Sequence, residues 1–117
     1  MKSILSLILS LIVSSSSSNL PYVSHYSYDF QDGWLNIVVS EYNSQKTCGD
    51  IRISNNELQY KLFCGKENGK GIIPLSKIKF KYEQDIFSAQ SIISGKIIFS
   101  VKCTQEQYRF IEKYLKK

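Results

Sequence analysis

The stretch YVSHYSYDFQDGWLNIVVSEY, residues 22–42, decides the fold because it has the pattern of two strands around a tight turn. Apolar and aromatic side chains recur at every second residue, the period of a β-strand with one buried face. Asp32-Gly33 is a strong signal for a two-residue hairpin loop. This loop predicts strands over residues 22–30 and 34–42. It also predicts three aromatic–aliphatic pairs, with Phe30 opposite Leu35, Tyr28 opposite Ile37 and Tyr26 opposite Val39.

A second hairpin is predicted around Asn55-Asn56, two residues that tolerate left-handed backbone angles. Its strands cover residues 49–54 and 57–64. A two-residue loop places apolar side chains together on one face and opposite charges together on the other, and a shift by one residue would lose both matches. The predicted pairs are Ile53 with Leu58, Ile51 with Tyr60, and Asp50 with Lys61.

The rest of the chain predicts three more strands and one helix. Residues 72–82 form a fifth strand, bent or entered at Pro74. Residues 85–93 and 96–103 form a third hairpin around Ser94-Gly95. Thr104 and Gln107 have the spacing of a capping box, which predicts a helix over residues 104–116.

The predicted fold is therefore mainly β, of the α+β kind. About seven short antiparallel strands form a sandwich or partly open barrel, and one C-terminal α-helix packs on it because a helix of this length is marginal alone. The order of elements resembles that of the pleckstrin-homology superfold, in which a terminal helix plugs one open end. The resemblance implies shape alone, since the helix lacks a tryptophan and the first hairpin loop carries Asp32 in place of a lysine and arginine cluster.

The first eighteen residues, MKSILSLILSLIVSSSSS, have the pattern of a secretory signal peptide. Lys2 precedes an apolar run of about ten residues, roughly half the length that spans a bilayer. We therefore expect a leader over 1–18, a single β-rich domain over 19–117 and a secreted, extracellular protein without stable membrane insertion. The formal charge of +5 falls to about +4 without Lys2, a mild basic excess below that of a dedicated nucleic-acid binder.

Three cysteines allow one intramolecular disulfide, which is common in a small secreted domain. Cys64 and Cys103 are predicted to point inward at strand ends, and this favours their pairing. Cys48–Cys64 is the alternative, because a bulge at Gly49 would turn Cys48 to the other face. The spare thiol is either buried and inert or available for an intermolecular bond to a partner or a second copy. The cysteines and the single histidine lack the spacing of a metal site.

Two candidate binding surfaces emerge from the pattern. The first is a row of lysines, Lys77, Lys79 and Lys81, on one face of the fifth strand. With Lys61, Lys66 and Lys70 it could form a basic patch for a protein, an acidic glycan or lipid headgroups, although such lysines also protect an exposed sheet edge. The second surface contains Tyr26 and Trp34, whose residue types are enriched in interface hot spots but also in cores.

The sequence contains no Gly-x-Ser-x-Gly or His-Glu-x-x-His motif and no phosphate-binding loop. We therefore expect a small secreted, non-enzymatic binding protein of the effector type. We expect no catalytic residues, no cofactor and no metal, and we do not expect nucleic acid to be its partner. One alternative is a ribonuclease-like enzyme that uses His25 with an acidic residue and Arg52 or Arg109. Another is a small carrier for an apolar ligand.

Overall fold

A computed structural model of the chain describes residues 20–42, 46–64 and 69–115. The predicted signal peptide therefore lies outside the described residues. Within these ranges the chain forms eight strands, one short 3₁₀ turn at Leu75–Lys77 and one helix. They are β1 Tyr22–Asp29, β2 Trp34–Ser40, β3 Thr47–Ser54, β4 Glu57–Leu62, β5 Gly69–Pro74, β6 Ile78–Glu83, β7 Ile86–Ser91, β8 Ile97–Lys102 and α1 Gln105–Leu115.

The eight strands form one open sheet in the order β5-β4-β3-β2-β1-β8-β7-β6. It consists of two antiparallel meanders, β1–β5 and β6–β8, joined where β1 runs parallel to β8 with Tyr22 opposite Lys102. This confirms the mainly β fold with one C-terminal helix and leaves β5 and β6 as the two edges. The strand predicted over 72–82 is two strands, because the chain crosses from one edge to the other through the turn that follows Pro74.

The Asn55-Asn56 hairpin has the predicted register. Both asparagines have positive φ angles, 52° and 63°, as a two-residue hairpin turn requires. Ile53 lies opposite Leu58, and Asp50 lies opposite Lys61.

The first hairpin is displaced by two residues from the prediction. Its loop has four residues, and Tyr28 faces Leu35 while Tyr26 faces Ile37. The Asp29 carboxylate accepts hydrogen bonds from the Gln31 and Asp32 amides at 2.9 and 3.3 Å, and this local network stabilises the longer loop. A shift of two keeps every side chain on its face of the sheet. The predicted partner of Leu35, Phe30, lies in the loop with 76% of its surface exposed.

The core lies between the inner face of the sheet and α1. Its fully buried side chains come from both meanders and from the helix, and they include Leu35, Ile37, Ile51, Leu58, Phe87 and Ile111. Two stacked tyrosine pairs fix the helix. Tyr114 stacks on Tyr28 of β1 with ring centroids 4.0 Å apart, and Tyr108 stacks on Tyr82 of β6 at 4.1 Å. The helix therefore spans the two meanders.

The predicted capping box begins the helix. The Gln107 amide donates to Thr104 Oγ1 at 3.1 Å, and the Thr104 amide donates to Gln107 Oε1 at 2.8 Å. Gln107 Nε2 also donates to the Val23 carbonyl of β1 at 3.0 Å. One side chain thus caps the helix and attaches it to the sheet.

Replacing Gln107 with alanine should lower the free energy of unfolding by about 1–2 kcal/mol, because a helix cap and a strand contact are both lost. Urea unfolding followed by circular dichroism measures the loss. The matched control is Gln105→Ala, an exposed residue of the same turn, with an expected effect below about 0.5 kcal/mol. Equal losses in the two variants would contradict the anchoring role of Gln107.

The disulfide joins Cys48 to Cys64, whose Cα atoms are 4.9 Å apart. The favoured pairing, Cys64–Cys103, is therefore wrong, and the alternative is confirmed. The reason is a bulge in β3: Val39 lies opposite Gly49 and Ser40 opposite Thr47, so Cys48 is the extra residue on its strand. Beyond Gly49, β3 and β4 remain joined by a hydrogen bond from the Phe63 amide to the Cys48 carbonyl.

Gly49 permits the close approach of β3 and β4 beside this bond. A Cβ atom there would lie 2.6 Å from Leu62 Cδ2 and 2.9 Å from Leu62 Cα. Gly49→Ala should therefore lower the free energy of unfolding by about 1–3 kcal/mol. The control, Gly69→Ala, introduces a Cβ with nothing within 4 Å, and its effect should stay within about 0.5 kcal/mol in denaturant titrations. A tolerated Gly49→Ala would contradict the close approach.

Candidate functional site

The predicted lysine row lies at one edge of the sheet. Lys77 ends the 3₁₀ turn, whereas Lys79 and Lys81 belong to the edge strand β6, and all three side chains are exposed. Lys81 Nζ lies 3.4 Å from Glu83 Oε2, so part of its charge is paired. Lysines on an edge strand hinder pairing with a second chain. This placement suits edge protection as well as binding.

The structure does not bring Tyr26 and Trp34 together. Tyr26 lies opposite Ile37 on the inner face and packs against Phe110 of α1 with ring centroids 4.8 Å apart. Trp34 pairs with Asp29 at the start of β2. Because side chains alternate along a strand, Trp34 points to the outer face, away from Ile37. Tyr26 therefore contributes to the core, and the two residues do not form one surface.

The residues of the ribonuclease alternative are also separated. His25 lies opposite Val38 on the outer face, where it is exposed. Arg109 belongs to α1, which packs on the inner face. Arg52 is on the outer face but lies two strands away from His25, paired with Asn36. These three residues do not come together in one site. The ribonuclease alternative stays a prediction.

A groove of about 660 Å³ lies on the outer face of β3, β4 and β5. Two rows of residues in register across these strands build it. The first row is Arg52, Gln59 and Ile72, and the second is Asp50, Lys61 and Lys70. We call these six residues the basic groove.

The basic groove places like charges side by side. Lys61 and Lys70 lie directly opposite each other on β4 and β5, a position in which like charges destabilise a sheet. Asp50 lies opposite Lys61 on the other side, and Arg52 follows Asp50 by two residues on the same face. The three cations and one carboxylate leave two positive charges in the groove at neutral pH.

Sequence reasoning placed Lys61 and Lys70 near each other but did not pair them. The register between β3 and β4 was predictable from Asn55-Asn56. The register between β4 and β5 was not, because Lys70 lies between the predicted strands over residues 57–64 and 72–82 rather than within one. Arg52 was considered only as a catalytic cation. Lys66, the third lysine of this part of the predicted patch, lies outside the described residues.

A polar cluster lies at the opposite end of the sheet, around Cys103. The Tyr82 hydroxyl lies 2.9 Å from the Cys103 carbonyl and 3.0 Å from Asp85 Oδ1. Burial, and then the Asp85 carboxylate, raise the pKa of the Cys103 thiol to about 12. The same two causes raise the pKa of Tyr82 to about 12. The thiol is therefore neutral at physiological pH, which makes it a poor nucleophile.

No group of three or more His, Cys, Asp or Glu side chains within the described ranges is placed to hold a metal ion. Among those same residues, no helix is long and apolar enough to cross a membrane. Comparison of the chain with protein-family models, with curated proteins and with solved structures finds no match.

The free thiol should be unreactive in the folded protein. Alkylation without reductant is expected to spare Cys103 near neutral pH and to modify one thiol per chain after denaturation. Because the folded-state pKa lies above the ordinary value of 9.0, the thiol's stabilising contribution is complete below pH 9 and is lost as the pH rises toward 12. Cys103→Ala should reduce this loss in urea titrations. Part of the stability loss at high pH should remain in this variant, because the pKa of Tyr82 is also raised.

The same experiment tests the predicted dimer through a spare cysteine. Cys103 is 2% exposed, so an intermolecular bond would require its sulfur to leave the core. A disulfide-linked dimer on non-reducing gels, or equally fast alkylation of the folded and denatured protein, would contradict the buried position of the thiol.

Proposed function

We propose that the protein is a small secreted, non-enzymatic binding protein of the effector type, and that the basic groove contacts an acidic extracellular polysaccharide. Two features support secretion. Residues 1–18 have the pattern of a signal peptide, and the domain holds the Cys48–Cys64 disulfide, a bond maintained mainly in oxidising compartments.

The observation that carries the binding proposal is the pairing of Lys61 with Lys70 beside Arg52. Adjacent cations repel each other in the free protein, and a bound anion relieves that repulsion. The three cations come from three neighbouring strands, spaced about 4.8 Å apart. A polymer with regularly repeated sulfate or carboxylate groups can contact all three of them at once.

The other candidate surfaces receive less support. The lysine row on β6 has a second explanation as edge protection, and Tyr26 belongs to the core. The alternative of an apolar carrier needs internal space. The region between the sheet and α1 is filled by large side chains that are fully buried, such as Phe87, Leu35 and Ile111.

Retention on immobilised heparin tests the proposal with two variants of equal charge. The groove variant replaces Arg52, Lys61 and Lys70 with glutamate, and the edge variant replaces Lys77, Lys79 and Lys81 with glutamate. Each variant changes the net charge by the same amount, so any difference between them reports position. We expect the groove variant to elute at lower salt and to bind about tenfold or more weakly than the edge variant. Urea unfolding checks that both variants fold.

Three outcomes would contradict the proposal. Equal loss in both variants would show non-specific ion exchange, and a larger loss in the edge variant would assign binding to the lysine row. Cleavage of RNA by the wild type but not by His25→Ala would replace the binding protein with an enzyme. The protein for these assays is collected from the medium of expressing cells. N-terminal sequencing of the same sample should begin near Asn19, and retention of residues 1–18 would contradict the predicted leader.

A further inference from the structure

Three isoleucines are exposed together where β7 turns into β8. Ile92, Ile93 and Ile97 have 61%, 74% and 54% of their surfaces exposed. Single exposed apolar residues are ordinary, but three on one short loop indicate a surface that contacts another apolar phase. The loop that carries these three side chains, Ile92–Ile97, is called here the isoleucine loop.

The isoleucine loop is held in one conformation by its own hydrogen bonds. The Gly95 amide donates to the Ser91 carbonyl at 2.9 Å, and the Ser91 amide donates to the Lys96 carbonyl at 2.9 Å. The Ile92 amide donates to the Lys77 carbonyl at 3.0 Å, which fixes the loop to the turn before β6. Gly95 has a φ of 74°, a value that glycine adopts without strain. The loop therefore presents its apolar side chains without a large ordering cost on binding.

The charged side chains of the loop and of its flanking strands have one sign. Lys96 lies within the loop, and the Lys77 carbonyl accepts a hydrogen bond from it. The strands on either side, β7 and β8, contain one lysine, Lys102, and no aspartate or glutamate. An anionic surface that approaches the loop therefore meets cations first.

We propose that the isoleucine loop docks reversibly on an anionic phospholipid bilayer. Ile92, Ile93 and Ile97 enter the boundary between headgroups and acyl chains, and the lysine ammonium groups of Lys77 and Lys96 contact lipid phosphates. The combination of apolar side chains with basic neighbours is the one that binds peripheral proteins to anionic lipid. The composition favours lipid over a protein partner, because protein interfaces are enriched in Tyr, Trp and Arg rather than in isoleucine. The proposal involves a surface separate from the basic groove and does not depend on it.

Vesicle sedimentation with matched single variants tests the proposal. Ile93→Ser and Phe30→Ser each remove one exposed apolar side chain, the first from the isoleucine loop and the second from the loop between β1 and β2. With vesicles of phosphatidylcholine and phosphatidylserine, we expect Ile93→Ser to partition several-fold more weakly than the wild type and Phe30→Ser to match it. The double variant Lys77→Gln/Lys96→Gln should lose binding to these vesicles by about tenfold, since each lysine contributes near an anionic surface.

The secreted protein is used for every variant, as in the heparin assay. Vesicles of phosphatidylcholine alone measure the binding that needs no anionic lipid, and the lysine variant should change that binding little. Unchanged partitioning of Ile93→Ser and of the double lysine variant would overturn the proposal. A second result would also overturn it: the wild type fails to bind vesicles and forms a dimer in sedimentation velocity, and Ile93→Ser abolishes that dimer. The loop would then be a contact between two copies.

Heparin retention distinguishes this proposal from the function proposed above. Ile93→Ser should leave heparin retention unchanged. In the vesicle assay, Ile93→Ser should weaken binding by the same factor whether or not the groove substitutions are present. Failure of one assay with success of the other therefore identifies which surface binds.

Discussion

The attachment of α1 across both meanders is the constraint on which the rest of the structure depends. The meanders share one parallel contact between β1 and β8, a small junction for an eight-stranded sheet. The helix adds Tyr114 on Tyr28 at one side and Tyr108 on Tyr82 at the other. Gln107 fixes its first turn to β1. An isolated helix of eleven residues is marginal in water, so the helix depends on these contacts, and its Ile111 in turn completes the core.

Much of this architecture was predictable because hydrophobic period and turn chemistry are local properties. Asn55-Asn56 determined a register by its own backbone preference, and Thr104 with Gln107 marked the start of the helix. The first hairpin differed because the Asp29 side chain caps a longer loop, an effect that a turn dipeptide does not reveal. The bulge at Ser24 was hidden, and a bulge beside Cys48 was considered only for the alternative disulfide. Each changes which face the following residues occupy, and the error in the disulfide followed from the second one.

The candidate surfaces were harder to predict than the fold because they depend on pairings between distant segments. Lys61 and Lys70 become neighbours only through the register of β4 with β5. The exposure of Ile92 and Ile93 arises because β7 ends at Ser91, before the two isoleucines that the alternating pattern had assigned to the strand. Tyr26 is the reverse case: its residue type is common in interfaces, but here the side chain packs against Phe110 in the core. Residue type alone does not separate these outcomes.

The position of the disulfide has a consequence for how the chain matures. Cys48 and Cys64 lie 16 residues apart on one hairpin, and closing so short a loop costs little chain entropy. The two other possible cross-links, Cys64–Cys103 and Cys48–Cys103, would close loops of 39 and 55 residues, and longer loops cost more chain entropy. In the unfolded chain Cys48 and Cys64 therefore meet more often than either of them meets Cys103. Chain proximity thus favours the native one of three possible cross-links before the sheet has formed, and folding then buries the remaining sulfur.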